Sequence, residues 1–348
     1  TKRGSFMFLV RWLLLVIVFV AVGCATAPQL PKAADASVKL PSETKPRPDY
    51  FNLPYGPHER NVLDLWQADT RGPAPLLIFW HGGGFLGGDK WTLHPDLLKR
   101  CLGAGISVAS ANYRFSRQAP FPGPMEDGAR ALQFLRLHAR QLKIDPDRIA
   151  LSGSSAGAGI SLWIAFHPEM ADPNNSDPVL RQSTRVTCVG VYGAQCSYDP
   201  RWVRDVIGGR AYEHPALPFL YGLKLEELDT PKAYALYERA AAINYLTADD
   251  PPVIMFYSEP KAPLKPGPNS TLRIYYDDFG KELEGHDKPG WGVHHPKFGY
   301  ALKEKMDPLN ISCTVLHAED MQKTEDTEVP ANAALVDFLT AQFGISKQ

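Results

Sequence analysis

The chain has 348 residues, 37 Lys and Arg against 38 Asp and Glu, a net charge of -1, 44% hydrophobic residues and 11% aromatics. That apolar fraction excludes wholesale disorder, and a near-neutral balance without a long basic run argues against nucleic acid as a partner. Five cysteines are too few for a disulfide scaffold.

The chain opens with Lys2, Arg3 and Arg11, an uninterrupted apolar run at 12–22 (WLLLVIVFVAV), then Gly23 and Cys24. A spanning helix needs about 20 apolar residues, so this run is too short for one. Basic residues, a short apolar core and a small residue describe a secretory signal over 1–23. The ending Ala21-Val22-Gly23-Cys24 resembles a bacterial lipoprotein box, with alanine in place of leucine at its first position. The resemblance implies that Cys24 is lipidated and anchors an exported protein to a membrane. Ala25, where aspartate would favour the inner membrane, points to an outer one. An ordinary cleaved signal or an uncleaved anchor is the plainer alternative. Residues 24–54, rich in Pro, Ala and Lys and without apolar period, read as an extended tether.

From 55 to 348 the pattern alternates strand and helix. Strands are expected at 76–80, 106–111, 148–152, 186–192, 253–257 and 312–316, and helices at 95–103, 125–142, 156–166, 299–306 and 333–343. Asp145-Pro146 is expected to break the 125–142 helix. Such alternation implies an α/β domain with a mostly parallel sheet covered on both faces. Residues 198–250 form a mostly helical insertion before the penultimate strand, suited to a lid or pocket wall, and 259–296 a second excursion. Cys188 and Cys313 fall inside strand-like runs and read, with Cys101 and Cys196, as free buried thiols, although export permits disulfides.

Two motifs carry chemistry. Gly153-Ser154-Ser155-Ala156-Gly157 fits G-x-S-x-G between an expected strand and an expected helix. That is the context of a nucleophile elbow, which lifts a serine hydroxyl above the sheet edge, and terminal glycines let the turn close. A small-residue helix start capped by serine is the plainer reading. His81-Gly82-Gly83-Gly84-Phe85 directly follows the 76–80 strand. A glycine run brings backbone N–H groups close to a substrate oxygen, as an oxyanion hole requires. The expected donors are Gly83, Gly84 and Ala156, with His81 bracing the loop. A phosphate loop is the alternative, but no G-K-[ST] completes it.

Together with Asn112-Tyr113-Arg114, Phe121-Pro122 and Glu126-Asp127, these residues resemble the α/β-hydrolase superfamily, and within it the hormone-sensitive-lipase-like and feruloyl- and acetyl-xylan-esterase-like carboxylesterases. The resemblance runs from Asn61 to Phe343 and is strongest before Gly193. It implies the α/β-hydrolase fold and hydrolysis of short acyl esters, such as acylated saccharides, with no metal or organic cofactor.

The last third departs from that family. An acid is expected after the 253–257 strand, where the chain reads Ser258-Glu259-Pro260-Lys261, with Lys261 in the place of aspartate. A histidine is expected after the 312–316 strand, near Asp320, but none follows His317. The serine needs a histidine base, and an acid to orient it. Several readings compete. Either His317 reaches inward from the strand tip, or His294 or His295 enters from the start of the following helix; His286 lies in the same excursion as Asp277, Asp278 and Asp287. Glu259, or Glu319 or Asp320 opposite an exchanged base, would supply the acid. A metal is not expected, because adjacent histidines point apart and no i,i+4 pair exists. Should no base exist, the chain is a degenerate hydrolase acting as a membrane-tethered binding protein. A peptidase or amidase of the same fold is a third option.

Overall fold

The side chains of Ala74–Trp80 (β3) decide the layering. Successive residues of a strand point to opposite faces. Here both faces are apolar: Leu76, Ile78 and Trp80 enter one core, Leu77 and Phe79 the other. Such a strand belongs at the centre of a sheet covered on both sides. A computed structural model describes residues 1, 30, 40–41, 44–264, 291–326 and 328–346. The apolar run at 12–22, Cys24, Asp277, Asp278, His286 and Asp287 lie outside them.

Among the described residues eight strands form one sheet in the order β1-β2-β4-β3-β5-β6-β7-β8. β1 (Tyr50–Pro54) and β2 (Val62–Trp66) pair antiparallel, and β2 pairs antiparallel with β4 (Ser107–Ala111). β3, β4, β5 (Ile144–Ser154), β6 (Cys188–Tyr192), β7 (Val253–Tyr257) and β8 (Cys313–His317) are joined by parallel pairings. The helices are α1 (Pro95–Gly103), α2 (Gly123–Leu137), α3 (Ala156–Phe166), α4 (Pro200–Trp202), α5 (Ala216–Tyr221), α6 (Pro231–Ala240), α7 (Lys297–Met306) and α8 (Glu328–Gln342). α1 and α8 pack on the Leu77–Phe79 face, and α2, α3 and α7 on the other. α4, α5 and α6 fill the insertion between β6 and β7, on the second face.

The expected parallel core is present, and several boundaries differ. Residues 50–54, read as the end of the tether, are the edge strand β1. Its regular alternation is broken by Asn52 at φ +54° and by a register irregularity between Tyr50 and Leu53. β2 escaped notice because Asp64 interrupts its apolar pattern; that carboxylate is fully buried, with the Lys90 ammonium 2.9 Å away and the Asn52 N–H donating to it at 2.8 Å. α2 ends at Leu137, earlier than expected. Asp145-Pro146, read as the helix breaker, lies beyond the helix end and within β5, where the pairing with β3 slips between Ala74 and Leu76. An irregularity of this kind accommodates a proline, which has no N–H for the ladder. α8 begins five residues before the expected 333. Cys101, Cys188, Cys196 and Cys313 are all free and buried.

α8 docks where β6 offers no side chain. A Cβ on Gly190 would lie 2.1 Å from Leu335 Cδ1, so the leucine occupies the space that the glycine leaves. Leu335→Ala should therefore lower stability by about 2–5 kcal/mol, read as a shift of the denaturant midpoint.

Candidate active site

The crevice lies beyond the carboxyl ends of the central strands, where ligands bind in sheets of this kind. At the end of β5 the chain turns sharply into α3. Ser155 sits at the turn with φ +50° and ψ −114°. A non-glycine residue held there costs about 1–3 kcal/mol, and the surroundings enforce it. The Ser155 N–H donates to the Tyr192 carbonyl at 2.9 Å, and the Ser155 carbonyl accepts from the Gly159 N–H at 3.0 Å. A Cβ on Gly157 would lie 2.0 Å from the Trp80 carbonyl oxygen, so helix and β3 meet backbone to backbone. The N-terminus of α3 starts at Ala156, directly beside the serine, and favours negative charge there.

The glycine loop after β3 lies alongside. Gly83 and Gly84 have φ of +104° and +58°, and Phe85 +61°. The Gly83 carbonyl accepts from the N–H groups of Leu86 and Gly87 at 3.0 and 3.1 Å, which closes the turn. The N–H groups of Gly83, Gly84 and Ala156 donate to no described residue, and all three residues line the same cavity as Ser155. His81 is fully buried beneath the loop. Its Nδ1–H donates to the Gly82 carbonyl at 2.7 Å, which leaves Nε2 to accept from the Arg60 guanidinium at 3.2 Å. Its ring stacks on Tyr113 with centroids 4.4 Å apart, and the Tyr113 hydroxyl donates to the His81 carbonyl at 3.0 Å. Burial pushes the His81 pKa down to about 4, so the ring is neutral at ordinary pH.

Of the candidate bases, the structure brings His294 to the serine. Its Nε2 is 2.9 Å from Ser155 Oγ, in position to accept the hydroxyl proton. Gly193, at φ +54°, makes room for the imidazole: a Cβ there would lie 3.1 Å from His294 Cδ2. His295 and His317 face elsewhere. His295 Nδ1 accepts from the Lys297 N–H at 3.2 Å and its Nε2–H donates to the Ala262 carbonyl at 3.2 Å. His317 Nδ1 accepts from the Glu319 N–H at 3.1 Å and its Nε2–H donates to the Glu259 carbonyl at 2.8 Å. Both rings are buried at loop anchors, and burial lowers the pKa of His295.

Glu259 meets the His294 segment through the backbone. One carboxylate oxygen accepts from the Gly292 N–H at 2.9 Å and the other from the His294 N–H at 2.7 Å. The residues standing at the family's acid and histidine positions, Lys261 and Asp320, pair with each other at 2.5 Å. This exposed contact joins the loops after β7 and β8 and, screened by solvent, adds little to stability. Among the described residues no group of three or more His, Cys, Asp or Glu side chains is placed to hold a metal.

The cavity beside Ser155 has a volume of about 300 Å³. Phe85, Tyr198, Leu217, Leu220, Val293 and Phe298 give it apolar walls, and the insertion adds Val203, Ala211, His214 and Ala216 to the lining. Sequence reasoning read the insertion as a lid or pocket wall without naming its lining residues, and it missed Gln195, which lines the cavity from the loop after β6. Its place just beyond a central strand, beside the elbow strand, was the available signal.

Residues 63–264 match the BD-FAE family model. The chain is 28% identical over 226 residues to Esterase LipQ of Mycobacterium tuberculosis, covering 63% of this chain and 50% of that protein. It is 30% identical over 212 residues to Probable carboxylic ester hydrolase LipM of the same organism, covering 59% of this chain and 46% of that one. It thus spans about half the length of these curated relatives. Among solved structures, a truncated carbohydrate esterase from gut microbiota superposes with a TM-score of 0.62 at 18% identity, over 88% of this chain and 100% of that one. The propionate-bound Est2 esterase of Thermogutta terrifontis superposes with a TM-score of 0.59 at 17% identity, over 89% and 99% of the two chains. These likenesses establish the α/β-hydrolase fold.

The neutral, buried His81 makes a testable contribution to stability. Its folded pKa lies below the unfolded value of 6.5, so the unfolded chain takes up the proton first. Its contribution is complete above pH 6.5 and is lost as pH falls toward 4, by roughly 3 kcal/mol in all. Denaturant titrations at pH 7.5 and 4.5 should show a smaller loss for His81→Asn than for the wild-type chain.

Proposed function

The chain belongs to the BD-FAE family, and on that footing we propose that it is a serine carboxylesterase hydrolysing short acyl esters through an acyl-enzyme on Ser155. The observation that carries this reading is the 2.9 Å contact of Ser155 Oγ with His294 Nε2, beside the glycine loop. His294 takes the hydroxyl proton as Oγ attacks the ester carbonyl carbon. The carbonyl oxygen gains the negative charge and is held by the N–H groups of Gly83, Gly84 and Ala156, residues that line the same cavity. The imidazolium then protonates the departing alcohol oxygen, and the carbon–oxygen bond breaks to leave the acyl-serine. A water, deprotonated by the same ring, attacks the acyl carbon and returns the acid and the free serine.

The walls from Leu217, Leu220 and Phe298 fit a short acyl chain. Acylated saccharides are the proposed substrates: the solved neighbours include an acetyl ester-xyloside bifunctional hydrolase and a carbohydrate esterase. The lipoprotein-like ending at Cys24 supports an exported site of action on a membrane, the outer one being favoured by Ala25. His294 removes the motive for a noncatalytic binding role, which rested on the missing histidine after β8.

Two assays test the reading. Ser155→Ala and His294→Ala should each lower kcat on p-nitrophenyl acetate and butyrate by about 10³-fold or more, and a fluorophosphonate probe should label the wild-type chain but not Ser155→Ala. Hydrolysis by His294→Ala at the wild-type rate would reject the base assignment. Leu220→Ala, which deepens the cavity, should shift the preferred p-nitrophenyl ester toward longer chains by one or two carbons, seen as a higher relative kcat/KM.

A further inference from the structure

His294 is delivered by three consecutive residues, Gly292, Val293 and His294, that belong to no helix or strand. Such a segment does not hold a ring in place by itself. Two side chains from different loops grip its backbone. Glu259, just after β7, accepts from the Gly292 and His294 N–H groups, at 2.9 and 2.7 Å. Gln195, just after β6, donates from Nε2 to the carbonyl of Val293, the residue between them, at 2.7 Å. Three successive backbone groups on the approach to the base are thereby bonded to a carboxylate and an amide.

Both gripping residues are themselves held. Gln195 is only 6% exposed, and its Oε1 accepts from the Tyr198 hydroxyl at 3.2 Å. The loop that carries it is tied down on either side, the Gly193 N–H donating to the Phe256 carbonyl at 2.8 Å and the Tyr257 hydroxyl to the Ala194 carbonyl at 2.9 Å. The Glu259 carbonyl is fixed by the buried His317 at 2.8 Å. The support continues from the base through the backbone to two side chains and on into the rigid ends of β6, β7 and β8.

We propose that Gln195 and Glu259 form a clamp on the backbone of residues 292–294 and act as positioning residues that set His294 against Ser155. This rests on the reading of His294 as the base. The clamp acts through the main chain that carries the ring, and the uncharged Gln195 is an essential half of it. The physical requirement is strict, since a misplacement of about 1 Å can lower a rate 10²-fold. A lost bond on one side leaves a buried carbonyl or N–H without its partner, so the segment shifts to find another.

The test compares Gln195→Met, which keeps the length of the side chain and loses the donor, with Glu259→Gln, which keeps one acceptor oxygen and turns an amide N–H toward the second backbone N–H. Ser155→Ala and His294→Ala run beside them on p-nitrophenyl acetate. Each clamp variant should lower kcat by about 10- to 100-fold while KM stays within about threefold and the unfolding midpoint within a few degrees. The double variant should lose less than the product of the two single losses, because both act on one segment. Should Gln195→Met not fold, Gln195→Glu replaces it, equal in shape and without the donor, with the same expectation. Wild-type kcat in the clamp variants beside an inactive His294→Ala would overturn the clamp and leave the base assignment standing. Wild-type kcat in His294→Ala would overturn the base assignment itself. A rise in KM matching the fall in kcat, with a lowered unfolding midpoint, would also overturn the clamp, since it marks a general role in the fold.

Discussion

The backbone contact between α3 and the end of β3 governs everything around it. Gly157 lies so close to the Trp80 carbonyl that a methyl group would stand 2.0 Å from the oxygen. This closeness brings the start of α3 under the glycine loop that leaves β3. Ser155 and Ala156 of the turn therefore line one cavity with Gly83 and Gly84 of the loop. The positive φ of Ser155 is the local cost of that arrangement, and the dense packing of α3, buried along its whole length, sustains it. His81 supports the loop from below in a form that burial keeps uncharged.

The other half of the site is built by a different principle. Where the resembled family has an acid after β7 and a histidine after β8, this chain has Lys261 and Asp320, opposite in charge to one another and paired. The two loops still meet, but the histidine beside Ser155 is His294, earlier in the chain and ahead of α7. His317, at the tip of β8, spends both ring nitrogens on backbone groups. Its service is to hold the Glu259 turn, which in turn holds the segment bearing His294. The histidine nearest the family position thus supports the site from one step away.

The sequence made the elbow and the glycine loop legible because each is a short motif whose spacing is dictated by backbone geometry. The parallel core was legible because β3 and β7 are continuous apolar runs. β2 was not, because its pattern is interrupted by Asp64, whose burial depends on Lys90, a residue distant in the chain. Nor was β1, bent at Asn52 and lying at an edge. For the base, the sequence reduced the candidates to a few histidines. Choosing His294 over its neighbour His295 required knowing which ring turns toward Gly193, and that follows from tertiary packing. Gln195 carried no signal beyond its place after a central strand: a glutamine there is unremarkable until the carbonyl of Val293, 98 residues later, is placed opposite it.

The four described cysteines bear on how the protein can be handled and on where it can persist. Each is buried, and burial raises every thiol, Cys188 and Cys313 to about 12. The nucleophilic form of a cysteine is the thiolate, so these sulfurs are inert toward oxidants and alkylating reagents while the domain stays folded. An oxidising compartment therefore leaves these four thiols of the folded domain unchanged. By the same reasoning, thiol reactivity is a readout of opening: the rate at which a maleimide consumes these cysteines measures how often the core admits solvent.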